Sequence, residues 1–185
     1  MAGRPLSKLH RIVTVCLEDL RWLPREFWVN VLASATVMPR VLRAAIYRSV
    51  GIHTRTLNIS PGCTFTGKGA VNIGEGTFIN LDCTFDALDS ITIGRDCAIA
   101  PGVMVCTSTH DVAADGSFGP AIGQPVSIGD RCWIGARAVI LPGVRIADGV
   151  QIAAGAVVTK DCLAAGRYQG VPARLHEPAT NPAPA

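Results

Sequence analysis

Residues 128–158 read IGDRCWIGARAVILPGVRIADGVQIAAGAVV and carry a six-residue period. An aliphatic residue occupies every sixth position of this stretch, at Ile128, Ile134, Ile140, Ile146, Ile152 and Val158. Six residues are too few for an amphipathic helix, but they are enough for a short strand and a turn. We therefore expect an all-β solenoid in which three such hexads close one triangular coil and the recurring aliphatic residue points inward.

The same period extends back through most of the chain. Its earlier apolar positions are Ile59, Phe65, Val71, Ile73, Ile79, Phe85, Ile91, Ile93, Ile99 and Val105. Successive coils are expected 20 residues apart from Ile73 to Ile93 and 18 residues apart from Ile128 to Ile146. Ile93 and Ile128 are 35 residues apart, so one coil is expected to extrude a loop at about residues 111–124. Long loops in compact domains are often functional.

Seven cysteines could suggest a disulfide or zinc framework, but their number is odd and no Cys-x-x-Cys pair occurs. Five of them occupy the fifth, small position of a hexad: Cys63, Cys83, Cys97, Cys132 and Cys162. A free cysteine packs as a small hydrophobic residue, so we expect these five to fill the core. Cys106 is also expected to be structural, no metal is expected, and reduced thiols fit a cytosolic setting.

The two ends of the chain follow other patterns. Residues 1–54 have apolar positions at helical spacing in three runs, over 6–20, 27–35 and 41–46, which predicts a helical N-terminal segment. This segment is expected to pack on the solenoid end or on a neighbouring subunit, with a membrane-surface helix as the less favoured alternative. The solenoid domain should span residues 55–176, followed by a flexible low-complexity tail over residues 177–185.

Composition narrows the functional classes. The 185 residues are 49% hydrophobic and 17% charged, which excludes a disordered chain. No apolar run approaches the ~18 residues needed to span a bilayer, and no signal peptide is evident, so we expect a cytoplasmic protein. The net charge of +3 comes from dispersed basic residues near the start of the chain, which favours solvated helix faces over a nucleic-acid partner.

His110 is the candidate for chemistry that the residues themselves indicate. It is the only histidine within the hexads, and it closes the hexad that starts at Val105, directly before the extruded loop. A histidine at a coil corner beneath such a loop is suitably placed to act as a general base near pH 7. Asp82, Asp86 and Asp89 cluster one coil earlier and are interpreted as solvated corner residues.

Several short motifs, taken with the hexads, carry a family resemblance. They are Phe78-Ile79-Asn80, Ser108-Thr109-His110-Asp111, Cys132-Trp133-Ile134-Gly135, Val157-Val158-Thr159-Lys160-Asp161 and Gly170-Val171-Pro172-Ala173-Arg174. In these motifs the chain resembles the left-handed β-helix acyltransferases, especially the galactoside and maltose O-acetyltransferase group and related exopolysaccharide acetyltransferases. The resemblance covers roughly residues 55–176 and implies a left-handed parallel β-helix that assembles as a homotrimer with active sites between subunits.

The resemblance also implies which residues would contact the acceptor. His110 matches the catalytic histidine that removes the proton from the acceptor hydroxyl, and Asn80 matches the asparagine that contacts the acceptor. Asp82 stands where relatives often have asparagine, and we assign it to the same substrate-binding group. His110 of one chain is expected to face Trp133 or the other donor-binding residues of a neighbouring chain.

The resemblance also implies a second group of residues, which would bind the acetyl donor. Trp133 matches an aromatic residue that lines the coenzyme A groove. The other matching positions are Ala136 and Ala154 along the pantetheine arm, and Thr159, Lys160 and Arg174 near the nucleotide. A second arginine of the sugar enzymes is replaced here by Glu177, so one phosphate contact is lost or supplied elsewhere. Lys160 and Arg174 are chemically suited to binding phosphate.

The sequence therefore predicts an acetyl-CoA-dependent O-acetyltransferase acting on a hydroxyl of a sugar, polysaccharide or other small acceptor. The hydroxyl is expected to attack directly in a ternary complex, with no nucleophilic cysteine. Three alternatives stay open: an N-acyltransferase acting on an aminosugar or antibiotic amine, a zinc hydratase and a non-enzymatic scaffold. The hydratase would need three histidine ligands where the hexads hold only His110.

Overall fold

The computed structural model describes residues 23–178 and shows a parallel β-solenoid of about six turns. Its short strands form three sheets, which are the faces of a triangular prism. Face A contains β1 (Ile52–Thr54), β3 (Val71–Ile73), β6 (Ile91–Ile93), β11 (Val126–Ile128) and β14 (Arg145–Ile146). Face B contains β4 (Phe78–Ile79), β7 (Ala98–Ile99), β12 (Trp133–Ile134), β15 (Gln151–Ile152), β17 (Gly166–Gln169) and the antiparallel β18 (Arg174–Pro178). Face C contains β2 (Thr64–Thr66), β5 (Thr84–Asp86), β8 (Met104–Cys106), β13 (Val139–Ile140) and β16 (Val157–Val158).

The chain turns from one face to the next at three edges. The AB edge consists of residues 74–77, 94–97, 129–132 and 147–150. The BC edge consists of residues 80–83, 100–103, 135–138 and 153–156. The CA edge consists of residues 87–90, 107–125, 141–144 and 159–161.

The strand register confirms the predicted coil lengths. On face A, Ile73 pairs with Ile93, Ile93 pairs with Ile128, and Ile128 pairs with Ile146. These pairs are separated by 20, 35 and 18 residues, as the hexad count predicts. Every parallel pair therefore stacks one hexad position on the equivalent position of the next coil.

The core is the column of apolar side chains inside the prism. All the recurring hexad residues from Ile59 to Val158 are buried. Phe65 stacks on Phe85 with ring centroids 4.8 Å apart, and Tyr47 extends this stack at 4.9 Å. Aromatic contacts of this kind add stability beyond the area they bury.

The five cysteines at the fifth hexad position are buried, so their predicted structural role is confirmed. Four of these thiols donate to carbonyl oxygens of the next coil, and the Cys162 Sγ donates to the carbonyl of Lys160 in its own coil. The Cys97 Sγ donates to the carbonyl of Gly129 at 3.0 Å, and the Cys132 Sγ donates to the carbonyl of Ala147 at 3.1 Å. All six cysteines of the described residues are free thiols.

A helical segment covers the N-terminal end of the prism. It consists of a π-helix (Phe27–Ala33) and α1 (Arg40–Ser49). The buried Arg43 guanidinium donates to the carbonyls of Ala33 at 2.6 Å and Ile59 at 2.7 Å, tying both helices to the first coil. No helix among residues 23–178 is long and apolar enough to cross a membrane.

The structure differs from the expected N-terminal boundary. Strand β1 lies within the segment expected to be helical, because Ile52 pairs with Val71 and so adds a rung to face A before residue 55. At the other end, β18 extends to Pro178, two residues beyond the expected end of the solenoid. The predicted run over residues 6–20 and the tail from residue 179 lie outside the described residues.

The segment expected as a loop over residues 111–124 is a β-hairpin that projects from the CA edge. Its strands are β9 (Ser108–Val112) and β10 (Phe118–Gly123), paired antiparallel. The turn contains Gly116 at φ +81°, and the Asp115 carboxylate accepts from the backbone N–H and hydroxyl of Ser117. A glycine with positive φ and an aspartate that accepts from the residue two positions later both stabilise tight turns. This turn allows the inserted residues to pair as a hairpin.

Candidate active site

The hairpin is fixed to the prism at its base. Ser108 donates its hydroxyl hydrogen to the Asp86 carboxylate. The buried Thr107 donates to the Asp86 carbonyl at 3.0 Å and accepts from the Asp89 backbone N–H at 2.9 Å. The returning chain closes the base, because the Gln124 N–H donates to the Thr107 carbonyl at 2.8 Å. Asp86 and Asp89, interpreted from the sequence as solvated corner residues, thus anchor the hairpin.

A glycine is required where the hairpin rejoins the prism. A Cβ atom at Gly123 would lie 2.7 Å from the Asp89 Cβ and 3.2 Å from its backbone nitrogen. Real Cβ atoms do not approach that closely, so any side chain here would push the hairpin away from the CA edge.

His110 lies on β9 with its side chain exposed. Its Nδ1 is 2.9 Å from the carbonyl oxygen of Gly119 across the hairpin. A carbonyl can only accept, so Nδ1 carries the hydrogen and Nε2 is left as an acceptor in the neutral ring. The Phe118 ring packs edge-on against the imidazole with centroids 6.3 Å apart. One hairpin therefore holds the tautomer and orientation that a general base requires.

Gly119 and Phe118 were missed in the sequence. Their contact with His110 depends on the antiparallel register, in which His110 faces Ala121 and a bulge separates Phe118 from Ala121. The two short segments on either side of Gly116 could have suggested a hairpin with a turn at this glycine. They could not have predicted its irregular register.

The two residues assigned to the acceptor lie at the BC edge. The Asn80 side-chain oxygen accepts from the Leu81 N–H at 2.8 Å. Asp82 is exposed, with φ +58°, in the left-handed region where Asp and Asn are favoured among non-glycine residues. Asp and Asn both tolerate this backbone conformation, so the local turn does not discriminate between them. Within one chain, Asn80 and Asp82 are at a different edge of the prism from His110.

Three donor-assigned residues also lie on face B and its junction with face C. Trp133, on β12, is 51% exposed, so about half of this aromatic side chain is accessible to a ligand. Ala136 and Ala154 occupy equivalent corners of successive coils at the BC edge, linked by the hydrogen bond from the Gly155 N–H to the Ala136 carbonyl at 2.8 Å. Small side chains at these corners leave the backbone open to approach.

The remaining donor-assigned residues are separated from that group. Thr159 and Lys160 are exposed at the CA edge, where the hairpin also emerges. Arg174 is exposed on β18, and its Nη1 donates to the carbonyl of Ala173 at 2.8 Å. In the β17–β18 pair, the backbone of Glu177 is registered with Arg167. One chain therefore distributes the assigned residues over two edges and does not bring them together.

The thiol next to this region is not activated. Burial, followed by the nearby Asp86 carboxylate, raises the pKa of Cys106, which lowers its thiolate fraction at neutral pH. Within residues 23–178, no group of three or more His, Cys, Asp or Glu side chains could hold a metal ion.

Comparison with known proteins identifies the family. Residues 125–160 match the family model described as the hexapeptide repeat of succinyl-transferase. The chain is 30% identical over 139 residues to the putative colanic acid biosynthesis acetyltransferase WcaF of Escherichia coli strain K12, covering 73% of this chain and 75% of that protein. Several other curated relatives are matched over only about half to three fifths of their own length, 50% to 58%.

Solved structures agree with this match. The fold superposes on a maltose O-acetyltransferase from Clostridium difficile 630 with a TM-score of 0.75 and 29% identity, covering 91% of this chain and 89% of that one. It also superposes on a galactoside acetyltransferase in complex with coenzyme A with a TM-score of 0.72 and 26% identity, covering 88% and 80%. The predicted left-handed parallel β-helix is thereby confirmed. The chain belongs to the hexapeptide-repeat acetyltransferase family.

Proposed function

We propose that this protein transfers an acetyl group from acetyl-CoA to a hydroxyl of a saccharide acceptor, with His110 as the general base. The observation that carries the proposal is the hydrogen bond from His110 Nδ1 to the Gly119 carbonyl, which leaves Nε2 free to accept a proton. The named relatives support the acetyl donor and a sugar acceptor, since they include a maltose O-acetyltransferase and a galactoside acetyltransferase with coenzyme A.

The reaction follows from this geometry. His110 Nε2 takes the proton of the acceptor hydroxyl as the oxygen attacks the thioester carbonyl carbon. The C–S bond then breaks, the new ester forms, and the proton on His110 passes to the departing coenzyme A sulfur. No covalent acyl-enzyme is needed, which agrees with the raised pKa of the neighbouring Cys106 thiol.

We propose that the complete site is formed between subunits of a homotrimer. The hairpin with His110 projects from the CA edge, whereas Trp133, Ala136 and Ala154 belong to face B and the BC edge. A three-fold axis parallel to the prism can place the CA edge of one subunit beside the BC edge of the next. Such an arrangement would also bring Asn80 to the histidine.

The test is a steady-state assay of acetyl transfer with matched hydroxyl and amino acceptors, such as methyl glucoside and its 2-amino analogue. His110→Ala should lower kcat by about 10²–10⁴-fold, the usual contribution of a general base, with coenzyme A affinity unchanged. Ser117→Ala is the matched control, because Ser117 lies in the turn of the same hairpin and contacts Asp115 instead of the histidine.

Turnover by His110→Ala near the wild-type rate would exclude His110 as the base. Faster transfer to the amine than to the hydroxyl would favour the N-acyltransferase alternative. Absence of coenzyme A binding by the wild-type protein would favour the scaffold.

A further inference from the structure

Face A carries a groove that contains none of the residues assigned to acetyl transfer. Its volume is about 570 Å³, and it lies beside the AB edge, next to the helical segment. Its polar lining consists of Arg48, His53, Thr54, Arg55, Asn72, Glu75 and Arg95. Three guanidinium groups and a single carboxylate therefore face one concave surface.

The three arginines are not equally engaged. Arg95 forms an ion pair with Asp130, with its Nη2 3.1 Å from the Oδ2. Arg48 uses only its Nε, which donates to the Thr54 carbonyl at 2.8 Å. Within residues 23–178, the side chain of Arg55 makes no hydrogen bond and no ion pair. Arg48 and Arg55 thus present charged donors to the groove without a carboxylate partner among the described residues.

The coil repeat creates the pattern of charges. Glu75 and Arg95 occupy equivalent corners of successive coils, because Ile73 pairs with Ile93. Arg55 lies on the coil before them and directly follows Thr54, which pairs with Ile73, so its backbone stands at the level of Gly74. Adjacent strands are about 4.8 Å apart, so the corner of Glu75 lies about one strand spacing from that of Arg95, and Arg55 lies on the coil on the other side of Glu75. A bare polyanion would be repelled by the Glu75 carboxylate in this lining. A ligand with both an anionic group and hydroxyl groups fits better.

We propose that this groove binds an acidic saccharide. Arg48 and Arg55 would hold its carboxylate through charge-assisted hydrogen bonds, for which the planar guanidinium is well suited. Glu75 would accept hydrogen bonds from sugar hydroxyls, and the Asn72 amide can both donate and accept. This inference rests on the proposed function. It identifies the acceptor as an acidic glycan that the groove binds at a distance from the reacting hydroxyl.

Calorimetric titration of the full chain with tetragalacturonate tests the site in the absence of any acetyl donor. Arg55→Gln should weaken binding by about tenfold or more, as expected for losing a hydrogen bond to a charged group. Arg40→Gln is the control, because Arg40 is an exposed arginine on the same helix as Arg48 and does not line the groove. Binding should also weaken steeply with added salt.

Two further probes separate the possible ligands. Maltotetraose, which has hydroxyls but no charge, should bind at least tenfold more weakly than tetragalacturonate. Inorganic pyrophosphate should also bind more weakly, because of repulsion by Glu75. Tighter binding of either probe, equal losses in Arg55→Gln and Arg40→Gln, or no saturable tetragalacturonate binding up to about 10 mM would overturn the proposal. A separate coenzyme A titration reports on the donor site, so failure of this inference is distinguishable from failure of the proposed function.

Discussion

Removing the Ser108 hydroxyl is expected to slow acetyl transfer while leaving the donor affinity intact. Ser108 is the first residue of β9, two residues before His110, and its hydroxyl bonds to the Asp86 carboxylate. A hydrogen bond to a charged group contributes about 1.5–3 kcal/mol, and the lower end applies here because both side chains are partly exposed. If that energy holds His110 in position, Ser108→Ala should lower kcat by about tenfold.

The assay compares kcat and KM for Ser108→Ala, Asp86→Asn and the double variant. Because one hydrogen bond links the two side chains, the double variant should be little slower than either single one. Thr66→Val is the matched control, since Thr66 contacts the same Asp86 carboxylate at 3.3 Å but lies on β2, away from the hairpin. A folded Ser108→Ala with kcat within about twofold of wild type, or strictly additive effects, would refute this positioning role.

Three other substitutions or measurements test the fold. Ile134→Ala should lower the free energy of unfolding by about 2–5 kcal/mol in urea titration, because the side chain is fully buried and leaves a cavity. Gly123→Ala should lower both the free energy of unfolding, by about 1–3 kcal/mol, and kcat, since the new Cβ would collide with Asp89. Cys162 should resist alkylation in native protein at pH 8, measured by mass spectrometry, because burial and then Asp161 raise its pKa to about 11. The Cys162 thiol holds its proton more tightly in the folded state than in the unfolded state. Its contribution to the free energy of unfolding is therefore present below pH 9.0 and should be lost as pH rises through about 11.

The prism could be predicted from the sequence because every coil imposes the same packing requirements at the same positions. Each coil must place an apolar residue inside and a small residue at the corner, so Ile93, Ile128 and Cys132 reveal their positions by spacing alone. Even the 15 or so residues inserted in one coil could be located, since the register resumes unchanged after the insertion.

Features outside the repeat could not be predicted in the same way. The approach of Gly119 to His110 depends on an irregular hairpin register, which local spacing does not encode. Strand β1 resembled the end of a helix, because a three-residue strand is too short to show its own alternation. The groove that Arg55, Glu75 and Arg95 line could not be found from spacing, because Arg55 is one residue out of step with the 20-residue repeat that relates Glu75 to Arg95. Charged corner positions also carry no apolar signal that draws attention to them.

In the proposed homotrimer, the base and the donor surface of each site come from two different subunits. The most direct test of this arrangement co-expresses His110→Ala with Ala154→Trp, in which a large ring fills an exposed corner of the donor surface. Each variant alone should be inactive. In randomly mixed trimers, one site in four draws an intact histidine from one variant and an intact donor surface from the other. The mixture should therefore recover about a quarter of the wild-type activity. Activity that stays at the level of the inactive parents, in trimers shown by tag purification to be mixed, would place the whole site within one chain and contradict the account.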